Sequence, residues 1–225
     1  MIKTPYKRLD LKKYSHIKYL LFIPVYMVIF MLEEKLITHH YFVSYLPLDS
    51  MIPFCEWFVI PYVLWYPLML GTGVYLFFKD PEGFKNYMYF IGGGFLLIVL
   101  FYAAFPNGQN LRPHVFTRSN ILIDFVKALY QSDTNTNVLP SLHVVGTMGA
   151  MFALLKCSRL RKFWFRLFIV VLSISICIST VYIKQHSILD LFTGVPLAFV
   201  YYLIVYKLLP NRQKSFHLHQ KSLHI

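Results

Sequence analysis

His186 and Asp190 are the residues whose types and spacing first indicate chemistry, in the segment VYIKQHSILDLFTGV (181–195) that also contains Lys184. Ionisable side chains inside a membrane-length apolar segment are costly, and they usually face a cavity in which they act. Positions four apart share one face of a helix, so the carboxylate can accept the proton of one imidazole nitrogen. The other nitrogen is then free for nucleophilic attack, and a helix start would stabilise an arriving phosphoryl group.

Two further polar segments contain residue types that phosphoryl chemistry needs. LPSLHVVG (139–146) has a proline and Ser141 at a predicted helix start, with His143 in the first turn. FPNGQNLRPHVFTRSN (105–120) contains Arg112, whose guanidinium fork suits phosphate oxygens, followed by a proline that stiffens the loop. A second helix N-terminus and a fixed cation are therefore available to the histidine and carboxylate of the first segment.

Each segment alone also has a structural interpretation. His186 and Asp190 are compatible with a buried hydrogen bond or a proton relay, and Ser141 and His143 with a helix start. Arg112 is compatible with a lipid headgroup contact. Because the three segments are expected on one side of the membrane, we predict that they form a single site.

The hydrophobic pattern predicts the elements that must position this site. The 225 residues are 57% hydrophobic with a mean hydropathy of +0.53, and the apolar runs are too long and numerous for one soluble core. We predict an all-α polytopic membrane protein with six transmembrane helices in one bundle, each long enough to cross about 30 Å of hydrocarbon. The predicted spans are 14–32, 56–78, 86–105, 141–155, 163–183 and 188–209. Residues 14–209 form the predicted membrane domain, between a cytoplasmic basic arm (1–13) and a cytoplasmic tail (210–225).

The distribution of charge predicts the orientation of the chain. A net charge of +12 is compatible with nucleic acid binding, but the basic residues alternate with the loops, and most of the 22 lysines and arginines lie on one side of the six spans. By the positive-inside rule that side, with both termini, is cytoplasmic, and the three polar segments lie outside. The basic residues that remain outside are Lys35, Arg112, Arg118, Lys127 and Lys184.

Other polar residues do not predict a cofactor. EEKLITHH (33–40) contains metal-ligand types, but an outer hairpin rich in tyrosine and phenylalanine is more typical of the membrane interface. Asp49 and Glu56 are interpreted as helix-cap or loop residues in preference to headgroup contacts. We therefore predict no metal and no cofactor.

In order and spacing, the polar segments resemble the type 2 phosphatidic acid phosphatase superfamily, whose pattern is Lys-x6-Arg-Pro, then Pro-Ser-Gly-His, then Ser-Arg-x5-His-x3-Asp. Arg112 and the next proline match the end of the first motif, PSLH (140–143) the second, and STVYIKQHSILD (179–190) the third with its spacing intact. The resemblance covers about residues 45 to 205. PSLHV, KQHSILD and LDSMIPFCEWFVIPYVLWY (48–66) are more similar to the branch that includes inositol phosphorylceramide synthases.

The resemblance implies a role for each matched residue. His186 would attack phosphorus to give a phosphohistidine, Asp190 would orient it, and His143 would protonate the leaving lipid oxygen. The implied substrate-binding residues are Arg112, Ser141, Lys184 and Ser179. Fixed cations and amides would then stabilise the phosphoryl charge in place of a metal. The acceptor of the phosphoryl group would be water in a phosphatase or an alcohol in a phosphotransferase.

The sequence departs from the motif pattern at two positions. Phe105 occupies the position of the lysine in the first motif, and Thr180 that of the arginine in the third. Both cations bind phosphate in the family. Lys184, and less directly Arg118, are the residues available to replace them.

We therefore predict an integral membrane lipid-phosphate phosphatase, acting on a phosphatidic acid or isoprenoid diphosphate type of substrate at the outer face of the plasma membrane. Its predicted partners are the lipid substrate and the bilayer, with no nucleic acid, and its oligomeric state is left open. One alternative is a lipid phosphotransferase of the inositol phosphorylceramide synthase type. A second is a proton-coupled transporter with His186, Asp190 and Lys184 as its relay, and a third is a non-catalytic scaffold of the same fold.

Overall fold

The computed structural model describes residues 11–36 and 40–209, and this part of the chain is mostly helical. The α-helices are α1 (Phe22–Leu36), α2 (Leu48–Met51), α3 (Val59–Val63), α4 (Trp65–Lys79), α5 (Pro81–Ala104), α6 (Ile121–Ser132), α7 (Leu142–Lys156), α8 (Phe163–Tyr182) and α9 (Ile188–Leu203). The 3₁₀ segments Leu11–Leu21 and Glu56–Phe58 lead into α1 and α3, and the π-helical segment Ile204–Leu208 extends α9. Two short strands, β1 (Phe42–Val43) and β2 (Asn107–Gly108), pair in parallel.

Five helical segments of the described chain are long and apolar enough to cross a membrane. They are Tyr14–Leu36, Glu56–Lys79, Pro81–Ala104, Phe163–Tyr182 and Ile188–Leu208. The fourth predicted span corresponds to α7, which is apolar but has only 15 residues. At 1.5 Å per residue α7 is roughly 22 Å long, which is shorter than the hydrocarbon core. Five of the six predicted spans therefore have the length and apolar composition that crossing a membrane requires.

The short helix α7 lies at the centre of the helix packing, against α4, α5, α8 and α9. Small residues allow this close packing. A Cβ atom at Gly146 would lie 2.9 Å from Phe95 and 3.2 Å from Trp65, so only glycine admits both rings at this position. Burial against protein on most sides means that α7 does not need the length that contact with lipid requires.

The helix α5 begins five residues before the predicted span, which started at residue 86. Asp80 is the N-cap, and its carboxylate accepts a hydrogen bond from Gly83 N at 3.0 Å, while Pro81 occupies the first helical position. Aspartate followed by proline is a strong helix-start signal, and it acts upstream of the apolar run. A prediction that follows hydropathy alone therefore places the boundary too late.

The helix α6 and the strand pair of β1 and β2 are two elements that lie outside the predicted membrane spans. The amphipathic helix α6, which the sequence analysis did not predict, lies between α5 and α7 in the chain and packs on α3 and on Glu56–Phe58. The parallel pair of β1 and β2 joins the segment after α1 to the segment after α5.

Some of the predicted features lie outside the described residues. They are most of the predicted arm (1–13), all of the predicted tail (210–225) and His39.

Candidate active site

His186 lies in the turn between α8 and α9, and not on a helix as its spacing from Asp190 suggested. Ser187 is the N-cap of α9, and Asp190 is the third residue of that helix. The Asp190 carboxylate turns back over the helix start, where Oδ2 accepts hydrogen bonds from Ser187 N at 3.0 Å and from His186 Nδ1 at 3.1 Å. The expected contact between histidine and carboxylate is present, and a capping box produces it.

The contacts of Nδ1 define the tautomer of His186. Both groups that face this nitrogen are acceptors, namely Val138 O at 3.1 Å and Asp190 Oδ2 at 3.1 Å, so Nδ1 carries the proton. The lone pair of the neutral ring is therefore on Nε2. The hydroxyl of Ser141, 3.2 Å away, donates to that lone pair in the resting site.

Asp190 is fully buried and is held from several directions. Its Oδ1 accepts a hydrogen bond from the hydroxyl of Ser44, and Ser141 N donates to its backbone carbonyl at 3.4 Å. Buried carboxylates that accept several hydrogen bonds stay fixed in one position. The orientation of His186 is thus set by groups from the segment after α1, the start of α7 and the start of α9.

The N-terminus of α7 brings a second histidine to the site. Ser141 is the N-cap, and its Oγ accepts from Val144 N at 3.3 Å. The ring of His143 lies between Tyr62 and Trp65, with centroid distances of 4.5 Å to each, and 5.9 Å from the ring of His186. Among the described residues its Nε2 is buried without a hydrogen-bond partner. The structure therefore brings together Ser141, His143 and His186, which the sequence grouped from separate motifs.

Arg112 is bound to the C-terminal end of α6. Its guanidinium stacks on the ring of Tyr130 at 4.5 Å and donates to the backbone carbonyls of Tyr130 at 3.0 Å, Asp133 at 2.8 Å and Thr134 at 2.5 Å. It also donates to Gln185 Oε1 at 2.6 Å. Burial lowers the pKa of Arg112, and the negative charge of Asp133 opposes this shift. Since Gln185 precedes His186, the arginine is linked directly to the turn that holds that histidine.

Asp133 is a residue of the site that the sequence analysis did not identify. Its Oδ2 accepts hydrogen bonds from Gln185 Nε2 at 3.0 Å and from the hydroxyl of Tyr62 at 3.4 Å. Burial raises the pKa of Asp133, whereas the positive charges of protonated His186 and of Arg112 lower it. Asp133 therefore holds the amide that in turn binds the arginine.

The chain was compared with known proteins. The model of the PAP2 superfamily matches residues 89–214, which is more than half of the chain. The chain belongs to the PAP2 superfamily. No curated protein and no solved structure matches it. PAP2 superfamily members are phosphoesterases, so phosphatase or phosphotransferase chemistry is the general activity of this chain. Together with the apolar helices, the family also identifies an integral membrane protein.

Two positions where PAP2 superfamily motifs have cations carry packing or backbone contacts here. Phe105 ends α5 and packs on Phe42 and Phe101, with centroid distances of 5.4 and 5.5 Å. Thr180 is fully buried, and its carbonyl accepts hydrogen bonds from the backbone of Gln185 and His186, both at 3.0 Å. Neither position contributes a charge to the site.

Three side chains that the sequence offered for binding the substrate phosphate make other contacts in the structure. The buried ammonium of Lys184 donates to the carbonyls of Asp49 at 2.9 Å and Ile52 at 2.6 Å, and burial lowers its pKa while Asp49 raises it. The hydroxyl of Ser179 donates to Ile176 O inside α8. Arg118 forms an ion pair with Glu56 at 3.2 Å. The structure therefore does not bring these three groups to the imidazole of His186.

The contacts of Lys184 lead to a testable expectation. Lys184→Met removes the donor for two carbonyls and leaves them unsatisfied in a buried place, which costs about 1–3 kcal/mol each. We expect a clearly lower thermal unfolding midpoint in lipid nanodiscs and little change in KM for a phosphate ester below that temperature. Lys127→Met is the control, because Lys127 is exposed and its ammonium contacts the Asp124 carboxylate on the same helix and the ring of Phe116, and no backbone carbonyl in a buried place depends on it. An unchanged midpoint combined with a raised KM would instead place the ammonium on the substrate phosphate.

Two more residues connect the separated segments. The fully buried amide of Gln109 donates to the carbonyls of Lys184 at 3.0 Å and Gln185 at 3.3 Å. Asp49 accepts hydrogen bonds from the Ser187 hydroxyl at 2.6 Å and from Ile188 N at 2.8 Å, which confirms the cap role predicted for it. The sequence indicated this role of Gln109 only by placing a polar residue within the loop segment 105–120. No local pattern indicated which helix Asp49 would cap.

Proposed function

We propose that this PAP2 superfamily chain is an integral membrane lipid-phosphate phosphatase that acts through a phosphohistidine at His186. One observation carries the proposal: the Nε2 lone pair of His186 faces the N-terminus of α7 at Ser141, with the ring of His143 5.9 Å away. This supplies a nucleophile, amides for the phosphoryl oxygens and a second imidazole for the leaving oxygen.

The proposed reaction has two steps. In the first, the Nε2 lone pair of His186 bonds to phosphorus, the bond from phosphorus to the lipid oxygen breaks, and protonated His143 gives its proton to that oxygen. In the second, His143 takes a proton from water while the water oxygen bonds to phosphorus and the bond to Nε2 breaks. Phosphate leaves, and both histidines return to their starting states.

Fixed donors would stabilise the charge on the phosphoryl oxygens. The hydroxyl of Ser141 would move from Nε2 to a phosphoryl oxygen when the nucleophile attacks, next to the exposed amides at the start of α7. Arg112 would contribute the N–H of Nη1 that is not used by Tyr130 O. We propose that these donors act without a metal or a cofactor.

We propose that the site faces the outside of the plasma membrane, with both termini in the cytoplasm. The support is the distribution of basic residues along the chain, together with the position of the site next to the loop after α5. The test is labelling of single cysteines placed at Asn110 and at Arg159, both exposed, in a chain without its native cysteines. A reagent that does not cross the membrane should label intact cells at residue 110 only. Labelling of both positions, or of residue 159 alone, would contradict the orientation.

The activity itself is tested with purified protein in nanodiscs and a panel of phosphatidic acid, isoprenyl diphosphate and alkyl phosphate. Free phosphate and new lipid products are measured with and without added alcohols. Release of phosphate by the wild type and not by the His186→Ala variant supports the phosphatase. A new lipid product that forms only with an alcohol would favour the phosphotransferase of the inositol phosphorylceramide synthase type. If the wild type transferred no phosphoryl group from any member, the proposed function would be wrong.

The role of His143 predicts a selective effect. His143→Ala should slow hydrolysis of a lipid phosphate by about 10²–10⁴-fold, because its leaving alkoxide needs a proton. It should slow a nitrophenyl phosphate far less, because that leaving group is already a stable anion. Steady-state rates of both substrates, in the variant and in the wild type, give the comparison. Equal losses for the two substrates would show that His143 is not the acid.

A further inference from the structure

A cleft of 440 Å³ lies between α1, α4 and α5. Its α4 wall contains Trp65, Met69, Gly73 and Phe77, which recur every four residues and so form one continuous stripe of the helix. Because α1 packs on α5, and α4 packs on the same helix, the three helices form a trough with α5 as its floor. The lining is almost entirely apolar.

The two ends of this cleft differ. At one end Trp65 lines the cleft and also contacts His143, with ring centroids 4.5 Å apart. At the other end Phe77 packs against His16 at 4.5 Å and Phe84 at 5.2 Å, so aromatic rings close the trough. Between Trp65 and Phe77 the helical rise amounts to roughly 18 Å. One leaflet of hydrocarbon is about 15 Å thick, so the cleft has the length of a lipid chain.

The position of the cleft indicates that its occupant has a polar end, because the end lined by Trp65 lies against His143 of the candidate site. The phosphate of a lipid would lie at that site, while the attached hydrocarbon would extend along the apolar walls. A transmembrane helix is about 10–12 Å across with its side chains, so it would need several times the 440 Å³ of this cleft.

We propose that the cleft binds one hydrocarbon chain of the substrate and that Gly73 determines how long a chain is accepted. This inference rests on the proposed function, because the phosphate of the same lipid would lie at His186. Gly73 lines the cleft about two-thirds of the way from Trp65 to Phe77, at a helical rise of roughly 12 Å from Trp65. A Cβ atom there would lie 3.6 Å from the Tyr87 ring, which is an ordinary contact, so a side chain is tolerated and its outer atoms fill the trough.

The chain provides a matched control for this position. Gly71 is on the same helix, is exposed and does not line the cleft, and a Cβ atom there would meet no atom within 4 Å. Gly71→Leu and Gly73→Leu therefore change the helix propensity of α4 equally. Only the leucine at position 73 would fill space inside the cleft. Leu97 lines a second apolar cleft, of 540 Å³, beside Pro140. The Leu97→Trp variant tests whether the hydrocarbon chain of the substrate lies in this second cleft instead.

The experiment compares octyl phosphate, hexadecyl phosphate and nitrophenyl phosphate with the protein in nanodiscs. Gly73→Leu should lower kcat/KM for the hexadecyl ester by about tenfold or more, as pockets reject excess methylenes, and leave the other two within about twofold of wild type. Gly71→Leu and Leu97→Trp should change none of the three. Parallel losses on all substrates, or chain selectivity in Leu97→Trp, would overturn the proposal.

A second measurement does not depend on turnover, so the inference and the proposed function can fail separately. A hexadecyl phosphate with a photoreactive group at the chain end is irradiated with the His186→Ala variant, and the crosslinked peptides are mapped. We expect crosslinks near Phe77 and Phe84, which move towards Trp65 when Gly73→Leu is added. Crosslinks outside the cleft would overturn the proposed site for the hydrocarbon chain even if the enzyme releases phosphate. Absence of activity combined with crosslinks in the cleft would overturn only the proposed function.

Discussion

Replacement of His186 by alanine is expected to abolish turnover and to leave no covalent phosphoenzyme. The physical reason is that Nε2 of His186 carries the lone pair that would bond to phosphorus, since Nδ1 donates to Val138 O and to Asp190 Oδ2. Loss of a catalytic nucleophile costs about 10⁶-fold in kcat, and no other side chain replaces the bond to phosphorus.

The measurement is a rapid alkaline-quench experiment with a lipid phosphate labelled at phosphorus. Phosphohistidine is stable in base and labile in acid, so the label is quantified after the alkaline quench, and its loss from a parallel acid-treated sample identifies the linkage. His143→Ala is the internal comparison, because it should still form the phosphoenzyme from a nitrophenyl phosphate. Phosphoenzyme trapped in His186→Ala would assign the nucleophile to another residue.

Asp190→Asn should lower kcat by about 10³–10⁴-fold, as loss of the carboxylate does in other histidine–aspartate pairs. The amide has one oxygen, whereas Asp190 receives hydrogen bonds from Ser44 on Oδ1 and from Ser187 N and His186 Nδ1 on Oδ2. An amide NH₂ group turned towards His186 would move the ring proton to Nε2 and remove the attacking lone pair. Single-turnover rates of phosphoenzyme formation measure this step directly.

Asp49→Asn is the matched control for this variant. Both carboxylates are buried and both bind the start of α9, but Asp49 contacts Ser187 and Ile188 and not the imidazole. We expect Asp49→Asn to lower the thermal unfolding midpoint and to leave kcat per folded molecule near the wild-type value. Equal losses of kcat in the two variants would mean that Asp190 acts only by capping the helix.

The network around Arg112 explains how a site with fewer cations than the family motifs can still be ordered. The guanidinium is held by three carbonyls at the end of α6 and by Gln185, and Asp133 holds Gln185 in turn. A cation positioned in this way loses little freedom when it binds a phosphate oxygen. Phe105 and Thr180 show that the two missing cations are not supplied at their usual positions. Lys184 is bound to backbone carbonyls and does not replace them in the described structure.

The sequence by itself was sufficient for features that depend on local chemistry. Runs of apolar residues predicted the membrane helices, five of which are long enough in the described chain to cross a bilayer. The start of α7 at Ser141 and the contact of His186 with Asp190 involve residues within four positions of one another, where side-chain types and spacing determine geometry. The motif order identified the family that the comparison confirmed.

Only the tertiary structure decided the features that depend on contacts between distant parts of the chain. Ser44 and Asp190 are 146 positions apart, and the Lys184 ammonium reaches a carbonyl 135 positions away. The role of α7 as a short buried helix, the link from Asp133 through Gln185 to Arg112, and the cleft between α1, α4 and α5 are of the same kind. Hydropathy and motif spacing carry no information on which distant donor a buried acceptor will meet, because packing selects that partner from many with similar local preference.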